Sequence, residues 1–158
     1  MTPAIKLLDR QKISYQLREY DVEENQSGYG VAAAIALGQD TSRVFKTLLA
    51  VVDGNERKPV VAIVAVADQL DLKNLATITG GRKAAMADSN LAERATGYVV
   101  GGISPLGQRR QFTTVIDKSA LEFETIYISG GKRGLQIEID PADLQNLTSA
   151  ETGHIAKS

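Results

Sequence analysis

The sequence contains no cysteine and no tryptophan, and its only histidine, His154, lies near the end of the chain. Without cysteine the chain can form neither a disulfide nor a thiolate metal site, and it has no thiol nucleophile. A Ser-His-Asp mechanism needs an imidazole held in a folded site, which a terminal histidine rarely supplies. One histidine is also too few for a metal-ligating cluster. We therefore expect no metal, no cofactor and no histidine-based triad.

Long apolar runs and an excess of one charge are lacking as well. No stretch approaches the roughly 18 uncharged apolar residues of a membrane span, and the opening MTPAIKLLDRQK has no apolar core of a signal peptide. The 18 basic and 19 acidic residues leave a formal net charge of −1. This argues against a protein that coats nucleic acid by bulk charge, but it leaves room for a local basic patch. We expect a cytoplasmic protein without a membrane partner.

The pattern of apolar residues predicts one α+β domain. A chain of 158 residues has the size of a single domain. Apolar runs over Phe45–Val52 and Val60–Val66 predict two central strands that are covered on both faces and joined as a hairpin. The other predicted elements are helices at about 3–11, 31–37, 70–79, 88–96 and from Pro141, strands at 13–20, 98–100, 112–116, 125–129 and 135–139, a surface loop at 21–28, and a loosely ordered tail at 148–158.

Lys46 and two glycine clusters are the chemical features that remain. Lys46 stands near the start of a buried strand, where an unpaired ammonium is costly to desolvate, so it snorkels to solvent, pairs with a carboxylate or faces a ligand pocket. The clusters GGISPLG (Gly101–Gly107) and SGGKRG (Ser129–Gly134) each follow a strand-like run. They form either tight turns or a backbone cradle for an oxyanion or phosphate. The residues alone therefore predict an α+β domain with an anion or carbonyl pocket.

Several segments together resemble a known family: MTPAIKLLDRQKISY, FKTLL, LDLKNLA, MAD, TGYVVGGISPLGQ and EFETIYISGGKRGL. They resemble the YbaK family of aminoacyl-tRNA deacylases, which is related to the editing domain of some prolyl-tRNA synthetases. The resemblance covers residues 1–147 without large insertions and leaves residues 148–158 as a C-terminal tail. It implies a single α+β domain with a mixed, barrel-like sheet flanked by helices.

The resemblance also implies an activity. The expected protein is a trans-editing enzyme that removes cysteine from Cys-tRNA(Pro), and from Cys-tRNA(Cys), beside prolyl-tRNA synthetase. In the implied mechanism the substrate thiol attacks its own ester carbonyl and releases tRNA and a thiolactone, so the enzyme is a hydrolase or a lyase. Small apolar differences between amino acids such as cysteine and proline are worth only about 1–3 kcal/mol in a pocket, which explains the need for a second check.

The resemblance places the critical lysine at Lys46. Two positions depart from the family pattern. Tyr29 stands where phenylalanine is usual and is still expected to bind substrate, because a phenol keeps most of the pocket wall. Gln136 stands where we expect aspartate, and the loss of the carboxylate weakens any claim that this position is catalytic. The family's pocket positions correspond to Tyr20, Thr47, Gly101 and Ser129, the glycine clusters add Gly102, Ser104, Gly130 and Gly131, and the basic residues proposed to contact the tRNA acceptor end are Lys132, Arg133 and Arg109.

Two questions stay open at this point. Lys46 either holds the aminoacyl end or the terminal nucleotide by charge, with N–H groups near Gly101 and Gly130 stabilising an oxyanion, or acts as a neutral base. The rival functions are an Ala-tRNA(Pro) deacylase that uses water and a non-catalytic module that binds tRNA or a synthetase.

Overall fold

A computed structural model describes residues 1–22 and 28–158. Residues 23–27, which belong to the surface loop predicted at 21–28, lie outside the described residues. No helix in the described ranges is long and apolar enough to cross a bilayer. The helices are α1 (Pro3–Arg10), α2 (Tyr29–Leu37), α3 (Leu72–Ile78), α4 (Ser89–Thr96), the 3₁₀ helix Lys118–Glu122 and α5 (Pro141–Thr148). The strands are β1 (Gln16–Glu19), β2 (Phe45–Val52), β3 (Val60–Ala65), β4 (Gln69–Leu70), β5 (Ala84–Met86), β6 (Thr114–Asp117), β7 (Ile126–Ser129), β8 (Leu135–Ile139), β9 (Glu151–Gly153) and β10 (Ala156–Lys157).

A five-stranded mixed sheet forms the centre of the domain, with the strand order β5-β2-β3-β6-β9. β2 and β3 form the predicted antiparallel hairpin, while β6 pairs in parallel with β3 and β9. A second, antiparallel sheet has the order β1-β8-β7. The two sheets meet at an isolated parallel bridge between Val44 and Tyr127. The α+β prediction is confirmed, but the sheets do not close into a barrel, because this bridge does not continue as a ladder.

The central strands are covered on both faces, as their continuous apolar sequences predict. All six residues of β3 are buried. On one face, Val61 and Ile63 belong to a cluster that also contains apolar residues of α1, α4 and α5. On the other face, Ala62 and Val64 pack in a cluster with Leu75 of α3. Since a residue on a strand alternates between faces, one strand contributes to both halves of the core.

Capping residues begin and end the helices where the sequence predicts them. The side chains of Thr2, Asp88 and Asp140 each accept a hydrogen bond from a backbone N–H in the first turn of the following helix. Gly38 and Gly97 end α2 and α4 in the left-handed conformation. These local signals predict the helix positions because they depend on neighbouring residues alone.

Two predicted strands differ from the structure. The strand at 13–20 shortens to β1, which is exposed along its length, with Leu17 44% exposed.

The predicted strand at 98–100 is a loop, since the Val100 N–H donates to the Glu93 carboxylate at 2.8 Å instead of to a neighbouring strand. Buried Tyr98 accounts for the apolar pattern there, because its hydroxyl donates to the Leu106 carbonyl at 2.6 Å.

The expectation of a loosely ordered tail at 148–158 is wrong. β9 pairs with β6, β10 pairs with β4, and Ile155 is fully buried between them. The Asp117 carboxylate accepts hydrogen bonds from the N–H groups of Ile155 and Ala156 at 3.0 and 3.1 Å. A buried carboxylate far away in sequence therefore holds the end of the chain, which no local pattern reveals.

Candidate functional site

The candidate site lies beside strand β2, where this strand lacks a neighbour on one side in the ranges that the structure describes. β2 pairs with β3 through Phe45–Ala50, but it pairs with β5 on the other side only through Ala50–Val52. The Leu49 carbonyl accepts a hydrogen bond from the Ala87 N–H at 3.0 Å on the β5 side. Because backbone groups alternate between the two sides of a strand, the N–H and C=O of Thr47 also point away from β3, towards the open edge.

A cavity of about 200 Å³ occupies this open edge. Its walls come from β2, the start of α2, the loop after α4, and the ends of β7 and β8. Of the residues predicted for the site, Tyr29, Lys46, Thr47, Gly101 and Ser129 line the cavity together with Gln136. The apolar part of the wall includes Phe45, Leu48, Val100 and Ile103.

Lys46 is the only residue with a charged side chain among the described residues that line this cavity. Its Nζ donates a hydrogen bond to the Asp68 carbonyl oxygen at 2.7 Å, and the side chain is half-buried. Burial lowers the pKa of the Lys46 ammonium, and the Asp68 carboxylate opposes part of that shift. The cavity therefore contains one oriented amine that is easier to deprotonate than a surface lysine.

Two buried polar atoms in the cavity wall have no hydrogen-bond partner among the described residues. They are Thr47 Oγ1 and Gln136 Oε1, on side chains that belong to residues only 9% and 7% exposed. A buried polar atom without a partner costs about 1–3 kcal/mol, so folded proteins rarely leave one unpaired. Since both residues line the same cavity, a polar ligand that reaches these atoms and hydrogen-bonds to them would compensate this cost.

Arg133 packs against the ring of Tyr29, which lines the cavity. The Arg133 guanidinium lies 4.5 Å from the Tyr29 ring centroid, and its Nε donates to the Val100 carbonyl at 2.9 Å. Gly101 lies against this pair with φ +90°, and a Cβ atom there would come within 2.7 Å of the Tyr29 ring. Arg133, predicted as a tRNA contact, thus packs against a residue of the cavity wall while it lines the separate groove that contains Tyr20 and Lys132.

The predicted oxyanion donors differ in whether their backbone N–H groups already donate a hydrogen bond within the chain. The Gly130 N–H donates to the Leu135 carbonyl at 2.9 Å, so in this structure it is already bonded within the chain. The N–H groups of Gly102 and Gly131 are likewise bonded, to the Val99 carbonyl at 2.9 Å and to the Ser129 hydroxyl at 3.2 Å. Neither glycine lines the cavity.

The other predicted site residues lie elsewhere. Ser104 is fully buried and accepts a hydrogen bond from the Leu106 N–H, so it stabilises its own loop. Tyr20 and Lys132 line a separate groove beside β1. Arg109 lies in a third groove, together with other arginines. Five of the predicted residues therefore line the cavity, and the others do not.

A family model described as the aminoacyl-tRNA editing domain matches residues 24–147. The chain belongs to this family. The family resemblance inferred from the sequence motifs is therefore confirmed. An editing domain of this family acts on aminoacyl-tRNA, which agrees with a small cavity that has polar groups in its wall.

Two relatives of this editing domain carry names that describe deacylases. "Putative Cys-tRNA(Pro)/Cys-tRNA(Cys) deacylase EbsC" of Enterococcus faecalis is 36% identical over 154 residues, which cover 98% of this chain and 92% of EbsC. "Multifunctional Ser/Thr-tRNA deacylase ProXp-y" of Escherichia coli K12 is 27% identical over 149 residues, which cover 93% of this chain and 87% of ProXp-y.

A solved structure shares the fold. It is described as "a putative trans-editing enzyme for prolyl tRNA synthetase", and it superposes with a TM-score of 0.82 at 19% identity. The match covers 100% of this chain and 99% of that protein. At this identity the likeness supports the editing-domain fold alone.

Gln136 lines the cavity, although the sequence marks it only as a departure from the family pattern. In β8, Leu135, Ile137 and Ile139 occupy alternate positions, so Gln136 and Glu138 share the other face. Glu138 bonds Arg18 and Arg43. The alternation of apolar and polar residues along β8 would by itself place Gln136 on an exposed face. That this face borders the editing cavity depends on how the two sheets pack, which the sequence pattern does not predict.

Removing an unpaired polar atom from the editing cavity should stabilise the protein. We expect Thr47→Val to raise the free energy of unfolding by about 1 kcal/mol, because it deletes a buried hydroxyl that has no partner. The matched control is Thr114→Val on β6, since the Thr114 hydroxyl is buried and donates to the Phe112 carbonyl at 3.0 Å. That control should lose about 1 kcal/mol. Urea denaturation measures both, and equal destabilisation by the two variants would contradict an unpaired Thr47 hydroxyl.

Proposed function

We propose that this chain is a free-standing editing enzyme that removes cysteine from Cys-tRNA(Pro), with Cys-tRNA(Cys) as a second substrate. The observation that carries the proposal is the editing cavity of about 200 Å³, which is lined by one lysine and by two residues, Thr47 and Gln136, that each keep a buried polar atom unpaired in the described structure. This volume is below the roughly 300–1,000 Å³ of pockets for drug-sized ligands, so it suits a small aminoacyl group. The 36% identity to EbsC over nearly the whole chain supports the choice of cysteine.

The unpaired atoms are suited to the substrate's α-ammonium group. Gln136 Oε1 is a hydrogen-bond acceptor and Thr47 Oγ1 can accept as well, so both can receive donors from an ammonium. Lys46 then lies near the ester or the terminal nucleotide, because two positive groups repel each other at close range. This arrangement would orient the aminoacyl ester with its carbonyl beside the open edge of β2.

The reaction needs no nucleophile from the described cavity wall. We propose that the substrate's sulfur attacks its own ester carbonyl, so that a C–S bond forms and the C–O bond to the terminal ribose breaks. The thiol proton ends on the ribose hydroxyl, and cysteine leaves as a thiolactone that water then opens. A thiol with a pKa near 8.5 is a few per cent thiolate at neutral pH, unlike a hydroxyl.

Backbone donors would stabilise the charge that develops on the carbonyl oxygen. The Thr47 N–H points towards the open edge of β2, and no hydrogen bond from the Gly101 N–H is found in the described ranges. Both residues line the cavity. Preorganised N–H groups of this kind are typically worth several kcal/mol at the transition state of acyl transfer.

Prolyl-tRNA synthetase is the partner that we propose for tRNA selection. The editing cavity is large enough for an aminoacyl group but too small to read a whole tRNA. Selection of tRNA(Pro) would then come from a complex in which the synthetase holds the mischarged tRNA.

The decay of mischarged tRNA tests the proposed function directly. We expect the protein to shorten the half-life of Cys-tRNA(Pro) by at least tenfold over a blank and to leave Ala-tRNA(Pro) unchanged, because alanine has no thiol. Lys46→Met, which keeps the length of the side chain but removes its charge, should abolish the acceleration. If Ala-tRNA(Pro) decays equally fast, a deacylase that uses water replaces this proposal. If neither ester decays but tRNA still binds, the chain is a non-catalytic binding module.

The role of Lys46 can be separated by pH. Burial lowers the pKa of Lys46, so an anchoring ammonium would lose its charge, and the enzyme its activity, at a pH below that of an ordinary lysine. Lys46→Arg should stay active and lose this alkaline decline, because arginine remains protonated. Profiles of kcat/KM against pH for both proteins measure this. An inactive Lys46→Arg, with wild-type activity that rises through the lysine pKa, would instead identify Lys46 as a base.

A further inference from the structure

Four arginines surround a groove away from the editing cavity. Arg57 lies on the turn between β2 and β3, Arg94 on α4, and Arg109 and Arg110 on the loop before β6. All four are exposed, and the groove between them has a volume of about 510 Å³. We call it the arginine groove. Its remaining wall is mainly apolar and includes Pro59, Leu91, Ala95 and Phe112.

The positive charges of the arginine groove are not neutralised within the described part of the chain. The ion pairs found there both involve Glu138 and none of these four arginines. A single carboxylate, that of Glu56, borders the groove. In a protein with a net charge of −1, this is a local concentration of positive charge.

Two of the four guanidinium groups, those of Arg94 and Arg110, are also held in place. Arg110 donates to the Arg57 carbonyl at 2.9 Å and lies 5.3 Å from the Phe112 ring centroid. Arg94 Nε donates to the Asn90 carbonyl at 3.3 Å, one turn back in α4. Ordered guanidinium groups lose less conformational entropy when they bind, so they are better suited to phosphate contacts than free side chains.

The arginine groove and the editing cavity are joined by a short stretch of chain. The Arg109 N–H donates to the Thr96 carbonyl at 3.1 Å, and a Cβ atom on Gly97 would lie 2.9 Å from Arg109 Nε. Val100, three residues after Gly97, already lines the cavity. Three residues span at most about 11 Å, which equals the rise of about three stacked nucleotides at roughly 3.4 Å each.

We propose that the arginine groove binds the phosphodiester backbone of the tRNA strand whose 3′ end enters the editing cavity. The proposal rests on the proposed function, because it takes the aminoacyl end as the occupant of the cavity. Arginine forks match phosphate oxygens, and guanidinium faces can stack on bases without reading their sequence. The groove would therefore hold many tRNAs alike and leave their discrimination to the synthetase.

The test uses binding of uncharged tRNA(Pro), which requires no catalysis. Contacts with four phosphates should weaken binding by about 50- to 150-fold between 50 and 200 mM salt. We expect Arg94→Gln/Arg109→Gln to lower the slope of log K against log salt by about two units. The control is Lys73→Gln/Lys157→Gln, which removes the same charge from α3 and β10, beside the opposite face of the central sheet, and should keep the slope.

A charge-removing variant at Glu56 and the affinity for prolyl-tRNA synthetase test the proposal further. Glu56→Gln should tighten binding, since it removes the carboxylate that borders the groove. An unchanged slope in the arginine variant overturns the proposal. The proposal is also overturned if the variant binds tRNA normally but loses affinity for prolyl-tRNA synthetase, because the groove would then contact a protein. If the salt dependence of tRNA binding falls in the arginine variant but the wild-type protein has no deacylase activity, the proposed function is contradicted while the proposed phosphate contacts of the groove still hold.

Discussion

The site depends on one constraint, the open edge of strand β2. Between its bridge to β7 and its pairing with β5, this strand directs backbone groups into a cavity instead of a neighbouring strand. An open edge is normally a liability, since it can pair with another chain. Here the start of α2, the loop at Gly101 and the ends of β7 and β8 cover it. The same arrangement gives Lys46 an anchor at the Asp68 carbonyl and keeps its amine at the cavity.

The cavity also shows a conflict between stability and function. Thr47 and Gln136 keep polar atoms buried without a partner, and Lys46 keeps an amine where burial lowers its pKa. Each of these features costs stability in the free protein, and in the proposed function a bound polar substrate would offset that cost. A cavity of this kind can orient a reactive ester although its described wall contains neither a thiol nor an imidazole. In the proposed reaction the substrate supplies the nucleophile and the protein supplies geometry and charge.

The sequence predicts the local parts of this structure well. Capping residues such as Thr2 and Asp88 give the helix starts, and continuous apolar runs give the central hairpin β2–β3. The family motifs locate Lys46, Thr47 and Gly101, which the fold brings together at one cavity. Patterns of this kind are informative because they depend on neighbouring residues or on one face of an element.

The remaining features depend on contacts between distant residues. Asp117 orders the C-terminal strands through hydrogen bonds to residues 38 and 39 positions away. The Gly130 N–H donates to the Leu135 carbonyl and so closes a turn. A glycine-rich sequence alone does not show whether such an N–H closes a turn or is available to an oxyanion. Gln136 shares an alternating strand with Glu138, and only the packing of the two sheets shows that it borders the cavity.

The most direct test of the central claim is the decay of Cys-tRNA(Pro) before and after S-methylation of its cysteine, with the intact protein present. Methylation blocks the sulfur and leaves the ester, the ammonium and the tRNA unchanged, and competition against Cys-tRNA(Pro) checks that the methylated substrate still binds. The account predicts that methylated Cys-tRNA(Pro) decays at the rate of the blank while the unmodified substrate is cleaved. Equal acceleration of both substrates would contradict it, because the nucleophile would then be water activated by the protein.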